Sequence, residues 1–139
     1  RFDTEVKAKT RADITVLVVD DSLTVRRITQ KFLLREGFQC ILAKDGLDAI
    51  EKISEHGVPS IILSDIEMPN MDGFQFVEHV RTTVSKAVPI IMISSRSIEK
   101  YEAHARALGV NKSIGKPYQE PELLASIEVL TGLIEKESV

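Results

Sequence analysis

The sequence of 139 residues has no tryptophan, a single cysteine and few aromatic residues of any kind. One cysteine excludes an internal disulfide framework and is typical of a reducing, cytoplasmic compartment. Because Cys40 lies in an apolar stretch, we interpret it as a buried, inert thiol. No apolar run reaches the roughly 20 residues that a membrane-spanning helix needs, and no signal-peptide pattern opens the chain. We therefore expect no membrane partner.

An excess of positive charge is also missing. Lysine and arginine number 18 against 21 aspartate and glutamate, which gives a net charge of −3 and no electrostatic footprint for nucleic acid. The length is sufficient for one domain with a real core. We interpret residues 1–12 as a linker remnant, 13–135 as the domain and 136–139 as a tail. Since the chain begins at Arg1 rather than methionine, we expect a piece of something longer.

From residue 14 onward, five short apolar runs alternate with five amphipathic stretches. Strands are predicted over residues 14–19, 38–43, 60–64, 90–93 and 112–115. Helices are predicted from the cap Ser22 to residue 36, after the cap Asp45, and over 74–84, 97–108 and 119–134. Gly37 and Gly109 are expected to stop two of these helices. Residues 70–73 supply turn chemistry.

Each of four helices has apolar side chains at helical spacing, and we expect these to face the core. They are Val25, Ile28, Phe32 and Leu33; Leu47, Ile50 and Ile53; Phe74, Val77 and Val80; and Leu123, Leu124, Ile127 and Leu130. Alternating strands and helices imply right-handed crossovers and a doubly wound α/β fold, a three-layer sandwich around a five-stranded parallel sheet. All strand-to-helix loops then leave one edge of that sheet.

Polar side chains follow four of the predicted strands at that edge. Asp20 and Asp21 follow the first strand, Asp65 the third, Ser94 the fourth and Lys116 the fifth. In open parallel sheets, ligands bind outside the carboxyl ends of the strands. Gathered there, three carboxylates, a hydroxyl and an ammonium suit a magnesium ion and a phosphoryl group.

Magnesium prefers oxygen ligands and retains several waters. We expect Asp21 and Asp65 to bind it directly, Asp20 to lie adjacent or act through water, and the backbone carbonyl of Glu67 to complete the protein ligands. The Asp65 carboxylate can attack phosphorus and form an acyl phosphate. Lys116 would then neutralise one phosphoryl oxygen.

Taken singly, each of these residues has an ordinary structural explanation. An Asp-Asp pair before a helix is usually a cap, and a lysine before proline is usually a solvated surface group. Only their joint placement at one edge favours a site. The three histidines lack metal-ligand spacing and are interpreted as surface residues: His56, His79 and His104. Met68 and Met71 are interpreted as packing residues.

Four motifs resemble the receiver domain of two-component response regulators. They read Val-Leu-Val-Val-Asp-Asp-Ser at 16–22, Leu-Ser-Asp-Ile-Glu-Met-Pro-Asn-Met-Asp-Gly at 63–73, Pro-Ile-Ile-Met-Ile-Ser-Ser at 89–95 and Lys-Pro at 116–117. The resemblance covers most of residues 14–131. It implies a flavodoxin-like fold with strand order 2-1-3-4-5 and magnesium-dependent phosphoryl transfer from a phosphohistidine.

Carried over residue by residue, the resemblance implies that Asp65 accepts the phosphoryl group and that Asp20 and Asp21 hold the metal. Ser94 takes the hydroxyl role and Lys116 contacts the phosphate, with a cis peptide before Pro117. The implied partners are a phosphohistidine-bearing kinase or phosphotransfer domain, and an output partner on the face of strand 4, helix 4 and strand 5. No stand-alone enzyme is implied beyond self-catalysed phosphotransfer and dephosphorylation.

Longer phrases narrow the resemblance. Val-Asp-Asp-Ser-Leu-Thr-Val-Arg-Arg at 19–27 and Gly-Lys-Pro-Tyr-Gln-Glu at 115–120 look like the C-terminal receiver of hybrid chemotaxis-type histidine kinases, in particular those linked to type IV pilus motility. Two residues depart from the family pattern. Ser113 stands where many members have an aromatic ring, which Tyr101 could replace, although ordinary packing explains Tyr101 as well. Glu67 is hypothesised to tune the acyl-phosphate lifetime by repelling or misplacing the hydrolytic water.

Two other function classes remain open at this point. An aspartyl-nucleophile magnesium phosphatase usually has a second aspartate two residues after the first, where this chain has Glu67. The sequence also lacks a substrate-capping insertion. A docking domain that is never phosphorylated would need none of the acidic residues, and all of them are present.

Overall fold

The computed structural model describes residues 9–95 and 98–134, and its strands form one parallel sheet. The strands are β1 (Thr15–Val19), β2 (Gln39–Ala43), β3 (Ile61–Asp65), β4 (Ile90–Ser94) and β5 (Lys112–Gly115). They pair in the order β2-β1-β3-β4-β5, which confirms the expected topology. Because the chain reverses its winding between β2 and β3, the loops after β1 and β3 lie side by side.

The helices are α1 (Leu23–Arg35), α2 (Gly46–His56), α3 (Gly73–His79), α4 (Ile98–Leu108) and α5 (Glu120–Leu130). Two predicted caps are confirmed: the Ser22 side chain accepts a hydrogen bond from the Val25 amide, and Asp45 accepts one from the Asp48 amide. Gly37 has φ +93°, the left-handed conformation that ends α1. The expected start of the fourth helix, residue 97, lies outside the described residues.

Two helices are shorter than predicted. Instead of one helix over 74–84, α3 ends at His79 and a π-helical turn follows over Val80–Val84. In this turn the Ser85 amide donates to the Val80 carbonyl, five residues back. At the other end of the chain, α5 stops at Leu130 rather than residue 134, because Gly132 takes φ +76°.

The core consists of two layers, one on each face of the sheet. Side chains of β1 alternate between them: Leu17 and Val19 belong to the layer under α2, α3 and α4, and Val16 and Val18 to the layer under α1 and α5. All four are at most 3% exposed. Burying one such side chain contributes about 1.5–3 kcal/mol. This division confirms the three-layer sandwich.

Two residues predicted to face the core do not. Ile28 is 59% exposed and Leu47 is 52% exposed. The buried positions of α1 are Thr29, Phe32 and Leu33, and Ile28 lies one residue, about 100° around the helix, from Thr29. Helical spacing of apolar residues therefore misled the assignment, because a threonine rather than an isoleucine faces the sheet.

The first described residues contact the body of the domain. Arg11, in a single 3₁₀ turn over Arg11–Asp13, donates to Glu36 Oε1 and to Glu128 Oε2, each at 2.9 Å. Its guanidinium carbon also lies 5.5 Å from the centroid of the Phe38 ring. These contacts tie part of the predicted linker to the ends of α1 and α5. Among the described residues, every helix is too short or too polar to span a lipid bilayer.

Candidate functional site

Three carboxylates meet where β1 and β3 end. One carboxylate oxygen from each of Asp20, Asp21 and Asp65 lies within 4.8 Å of the others. Asp20 follows the last residue of β1 and is 5% exposed, Asp21 is exposed, and Asp65 is the half-buried last residue of β3. The adjacency follows from the parallel pairing in which Val19 of β1 lies opposite Ser64 of β3.

Lys116 brings a positive charge to this cluster. Its Nζ atom lies 3.0 Å from Asp20 Oδ2 and 3.4 Å from Asp65 Oδ2. The Lys116 amide donates to the Ser94 carbonyl at 2.8 Å, so the end of β4 fixes the lysine backbone. The peptide between Lys116 and Pro117 is cis, as the resemblance implies. The structure therefore brings Lys116, which follows β5, into contact with the aspartates at the ends of β1 and β3.

Ser94 and Glu67 lie at the same edge. Ser94 ends β4, is 3% exposed, and follows Ile93, which pairs with Asp65. Glu67 is exposed on the loop two residues after Asp65. The five predicted side chains and the Glu67 backbone thus share one edge of the sheet, and direct contacts join Lys116 to Asp20 and Asp65.

The positive charge of Lys116 only partly offsets the cost of ionising the Asp65 carboxyl group. Burial raises the pKa of Asp65, the Lys116 ammonium lowers it in part, and the neighbouring Asp20 charge raises it again, so the net direction is upward. Burial alone would lower the pKa of Lys116, but its contacts with Asp20 and Asp65 outweigh burial and raise it. A further cation near these carboxylates would relieve their mutual repulsion.

Backbone groups hold the Asp20 and Asp65 carboxylates in place. The Ser22 amide donates to Asp20 Oδ1 at 2.9 Å, and the Ile66 amide donates to Asp65 Oδ1 at 2.8 Å. Gly73, the first residue of α3, lies against the Asp65 carbonyl so closely that a Cβ atom there would clash with it. The motif showed this glycine only as turn chemistry, whereas the structure shows that α3 abuts the acidic strand end.

Two supporting residues escaped the sequence reasoning. The Arg26 guanidinium donates to the Asp20 carbonyl at 2.6 Å, and the Asn70 amide group donates to Asp45 Oδ2 at 2.8 Å. Asn70 also has φ +67°, a conformation that asparagine tolerates better than most residues. An arginine on a helix and an asparagine in a turn carry no signal of such contacts, because both are common on protein surfaces.

The donor set fits a hard divalent cation. Three carboxylates supply the oxygen ligands that magnesium prefers, and they converge without sulfur or imidazole donors in the cluster. His56 and His104 are exposed, as predicted for surface histidines, and His79 is half-buried. Met68 and Met71 pack against the core, as predicted. Cys40 is half-buried, and burial raises its thiol pKa to about 11, so it stays protonated.

Ser113, which departs from the family pattern, and Tyr101, its possible replacement, lie on different elements. Ser113 is a half-buried residue of β5. Tyr101, on α4, stacks in a tilted arrangement on Phe74 with ring centroids 5.8 Å apart. This contact is the packing role that the sequence also allowed for Tyr101.

Comparison with known proteins gives consistent matches. A family model described as Response regulator receiver domain matches residues 16–128. Protein PilG of Pseudomonas aeruginosa is 37% identical over 116 residues, which are 83% of this chain and 85% of PilG. Sensor histidine kinase RcsC of Salmonella typhi is 29% identical over 133 residues, 96% of this chain but 14% of RcsC. The solved structure of Vibrio cholerae chemotaxis protein CheY4 has a TM-score of 0.78 and 30% identity, covering 84% of this chain and 98% of that one.

Proposed function

The chain belongs to the response regulator receiver domain family, and we propose that it takes its phosphoryl group on Asp65. Members of this family are phosphoacceptor signalling modules of two-component systems, and this chain has that role. The observation that carries the assignment of Asp65 is its position between Asp20, Asp21 and the Lys116 ammonium. Among the three aspartates, it is the one that ends the central strand β3.

The transfer itself needs little from the protein beyond position and charge. One Asp65 carboxylate oxygen forms a bond to phosphorus while the bond from phosphorus to the donor nitrogen breaks. The electron pair stays on that nitrogen, which belongs to a phosphohistidine on a kinase or phosphotransfer domain. The product is an acyl phosphate on Asp65 and a free histidine.

This chain's own residues prepare that step. The Ile66 amide orients the Asp65 carboxylate by donating to Oδ1, which leaves Oδ2 on the side of Lys116. Lys116 is placed to shift from Asp65 to an arriving phosphoryl oxygen as a compact positive charge. The Ser94 hydroxyl would donate to a second phosphoryl oxygen.

We assign magnesium to the three aspartates. Asp21 and Asp65 would bind it directly, with Asp20 adjacent or through water and the Glu67 carbonyl as a further ligand. When bound, the ion supplies neutralisation of phosphoryl charge. The convergent carboxylates and the upward pKa shift of Asp65 support this assignment, since both favour an added cation.

The wider context is likewise a proposal, and one relative supports part of it. We propose that the receiver is part of a hybrid chemotaxis-type histidine kinase linked to type IV pili, with residues 13–135 as the domain, acting in the cytoplasm without catalysing a reaction on a separate substrate. The match of 96% of this chain to 14% of a sensor histidine kinase supports a place within a longer kinase. The output partner would read the face formed by β4, α4 and β5.

Intact mass spectrometry tests the assignment of Asp65. The full chain is exposed to acetyl phosphate with magnesium, and wild type is expected to gain one phosphoryl group while Asp65→Asn gains none. Asp13→Asn is the matched control, because Asp13 precedes β1 and so lies at the opposite edge of the sheet. Uptake by Asp65→Asn equal to wild type, or turnover of a generic phosphate ester, would refute the proposal; the latter would favour a phosphatase.

A further inference from the structure

A small cavity borders the acidic cluster between the sheet and α1. Its volume is about 20 Å³, and most of its wall is apolar, from residues of β1, β3, β4 and α1. Asp20, Asp65 and Lys116 line it on the side of the proposed phosphoacceptor, and the hydroxyl-bearing residues Thr29 and Tyr118 line it as well. A space above about 10–15 Å³ holds one water if two to four polar groups surround it. This cavity meets both conditions.

The two hydroxyls lie near each other but are not well bonded. Thr29 Oγ1 and Tyr118 Oη are 3.4 Å apart, longer than the roughly 2.7–2.8 Å of a good O–H···O bond. Thr29 is 4% exposed, so bulk water does not satisfy its hydroxyl. Buried hydroxyls are nearly always bonded to protein or to an ordered water. A water in the adjoining cavity would complete both groups.

The same cavity touches the lysine of the site. An ammonium group has three N–H donors; Lys116 donates one to Asp20 and forms an ion pair with Asp65 at 3.4 Å. The third donor is available to a water in the cavity that Lys116 lines. Tyr118 lies only two residues after Lys116, so its ring and the lysine stem are fixed by one short segment.

We infer that a single buried water joins the Thr29 and Tyr118 hydroxyls to the Lys116 ammonium, and that Tyr118 is a positioning residue for phosphoryl uptake. Neither hydroxyl touches the phosphoryl group. Their role is to hold the ammonium within reach of Asp65, in a partly buried network whose members depend on one another. This inference rests on the proposed function, in which Lys116 neutralises the arriving phosphoryl oxygen.

Removal of single oxygens tests the network. Tyr118→Phe is expected to slow phosphoryl uptake from acetyl phosphate about 2- to 10-fold, the factor that corresponds to one net hydrogen bond. Thr29→Val should act similarly, and the double variant should be no slower than the slower single variant, because both remove the same water. Tyr101→Phe is the matched control, since Tyr101 lies on α4 and does not line the cavity.

A chain that already lacks the Lys116 ammonium distinguishes positioning of the lysine from a merely structural role of Tyr118. In a Lys116→Met chain, adding Tyr118→Phe should slow uptake no further, because the lysine that the network positions is already absent. Further slowing there would overturn the inference. Uptake by Tyr118→Phe equal to that of Tyr101→Phe would overturn it as well.

A second measurement needs neither phosphate nor metal. Nuclear magnetic resonance of wild type should give a nuclear Overhauser effect between a long-lived water and the Thr29 methyl group, and Tyr118→Phe should lose it. Absence of that signal in wild type overturns the inference. Failure of wild type to take up phosphate while the signal is present would instead overturn the proposed function.

Discussion

The Lys116 ammonium donates to Asp20 Oδ2 at 3.0 Å, although the two residues are 96 positions apart in the chain. This ion pair places a protein cation beside the carboxylates proposed to hold magnesium. The Asp20 side chain is 7% exposed and that of Lys116 is 24% exposed, so water screens the pair little. Lysine and metal are therefore expected to compete for the same negative charge.

Lys116→Met should strengthen magnesium binding. One unit charge about 4 Å from another contributes several kcal/mol at the effective dielectric near a protein surface, so removal of the competing charge should raise affinity at least about tenfold. Isothermal titration calorimetry measures this, with Lys112→Met as a control for an exposed lysine on β5. An unchanged dissociation constant would argue against competition. Phosphoryl uptake by the same variant should fall.

Asp65 should make the metal-free domain less stable as pH rises. A carboxyl group whose folded pKa is raised contributes stability below its unfolded pKa of about 3.9, and loses it as pH rises through the folded pKa. Asp65→Asn cannot ionise, so its urea midpoint should rise relative to wild type as pH increases above the unfolded pKa of about 3.9. The comparison requires a metal chelator in the buffer. A difference that stays constant with pH would contradict the burial of Asp65 as the cause.

Glu67→Asn should shorten the lifetime of the acyl phosphate. Glu67 is exposed two residues after Asp65, where its charge is hypothesised to repel or misplace the hydrolytic water. Loss of phosphate from the purified phosphorylated chain, followed by intact mass over time, measures the rate. Glu67→Gln separates charge from side-chain length. Equal rates in wild type and both variants would remove the hypothesis.

Gly73→Ala should disturb Asp65, the proposed acceptor, directly. The added Cβ would meet the Asp65 carbonyl oxygen and the Ile66 backbone, and neither can rotate away as a side-chain end can. Overpacking of this kind costs about 1–3 kcal/mol in the free energy of unfolding. Urea denaturation gives the loss of stability, and acetyl phosphate uptake gives the displacement of Asp65. A stable variant with wild-type uptake would show that α3 can move without affecting the site.

Arg11→Met should destabilise the domain away from the site. Arg11 bonds two carboxylates and the Glu36 carbonyl and covers Phe38, and its bond to Glu128 leads the interactions that raise the pKa of the guanidinium. A partly exposed pair of this kind contributes about 0.5–1 kcal/mol, which falls as salt rises. Arg35→Met is the matched control, because Arg35 likewise pairs with two carboxylates, Glu120 and Glu36, and lies over the Phe32 ring. It should change the urea midpoint less, since the Arg35 side chain is 57% exposed against 34% for Arg11. Equal shifts of the urea midpoint in the two variants would show that Arg11 stabilises the domain no more than Arg35 does.

Most of the architecture was predictable because its signals are local. The strands were found to within one residue at each end, since continuous apolar runs between turn residues fit buried parallel strands. Ser22 and Asp45 were identified as caps because a short polar side chain before an apolar helix is a local feature. The errors fell where local patterns are ambiguous, as at Ile28, whose spacing suits a buried face that Thr29 occupies.

The site was predictable in its members but not in its contacts. Strand-end positions placed Asp20, Asp65 and Lys116 at one edge, which follows from parallel strands alone. That Lys116 lies closer to Asp20 than to Asp65 depends on where the tertiary structure places the end of β5 relative to β1 and β3, which no spacing in the sequence encodes. The π-helical turn at Val80–Val84 was missed as well, because apolar spacing from Phe74 to Val80 suits a continued α-helix.

The order of residues alone determined the alternation of strands and helices, the side of the sheet on which the polar strand ends meet, and the residue types available there. Those properties depend on neighbours in the chain and on the handedness of crossovers. Tertiary structure alone decided which charges touch, how deeply Asp65 is buried, and that Thr29 and Tyr118 share a cavity with Lys116. These features depend on differences of a few tenths of an ångström in the positions of side chains that are far apart in sequence. Close packing couples every element to the others, so only the whole fold sets those positions.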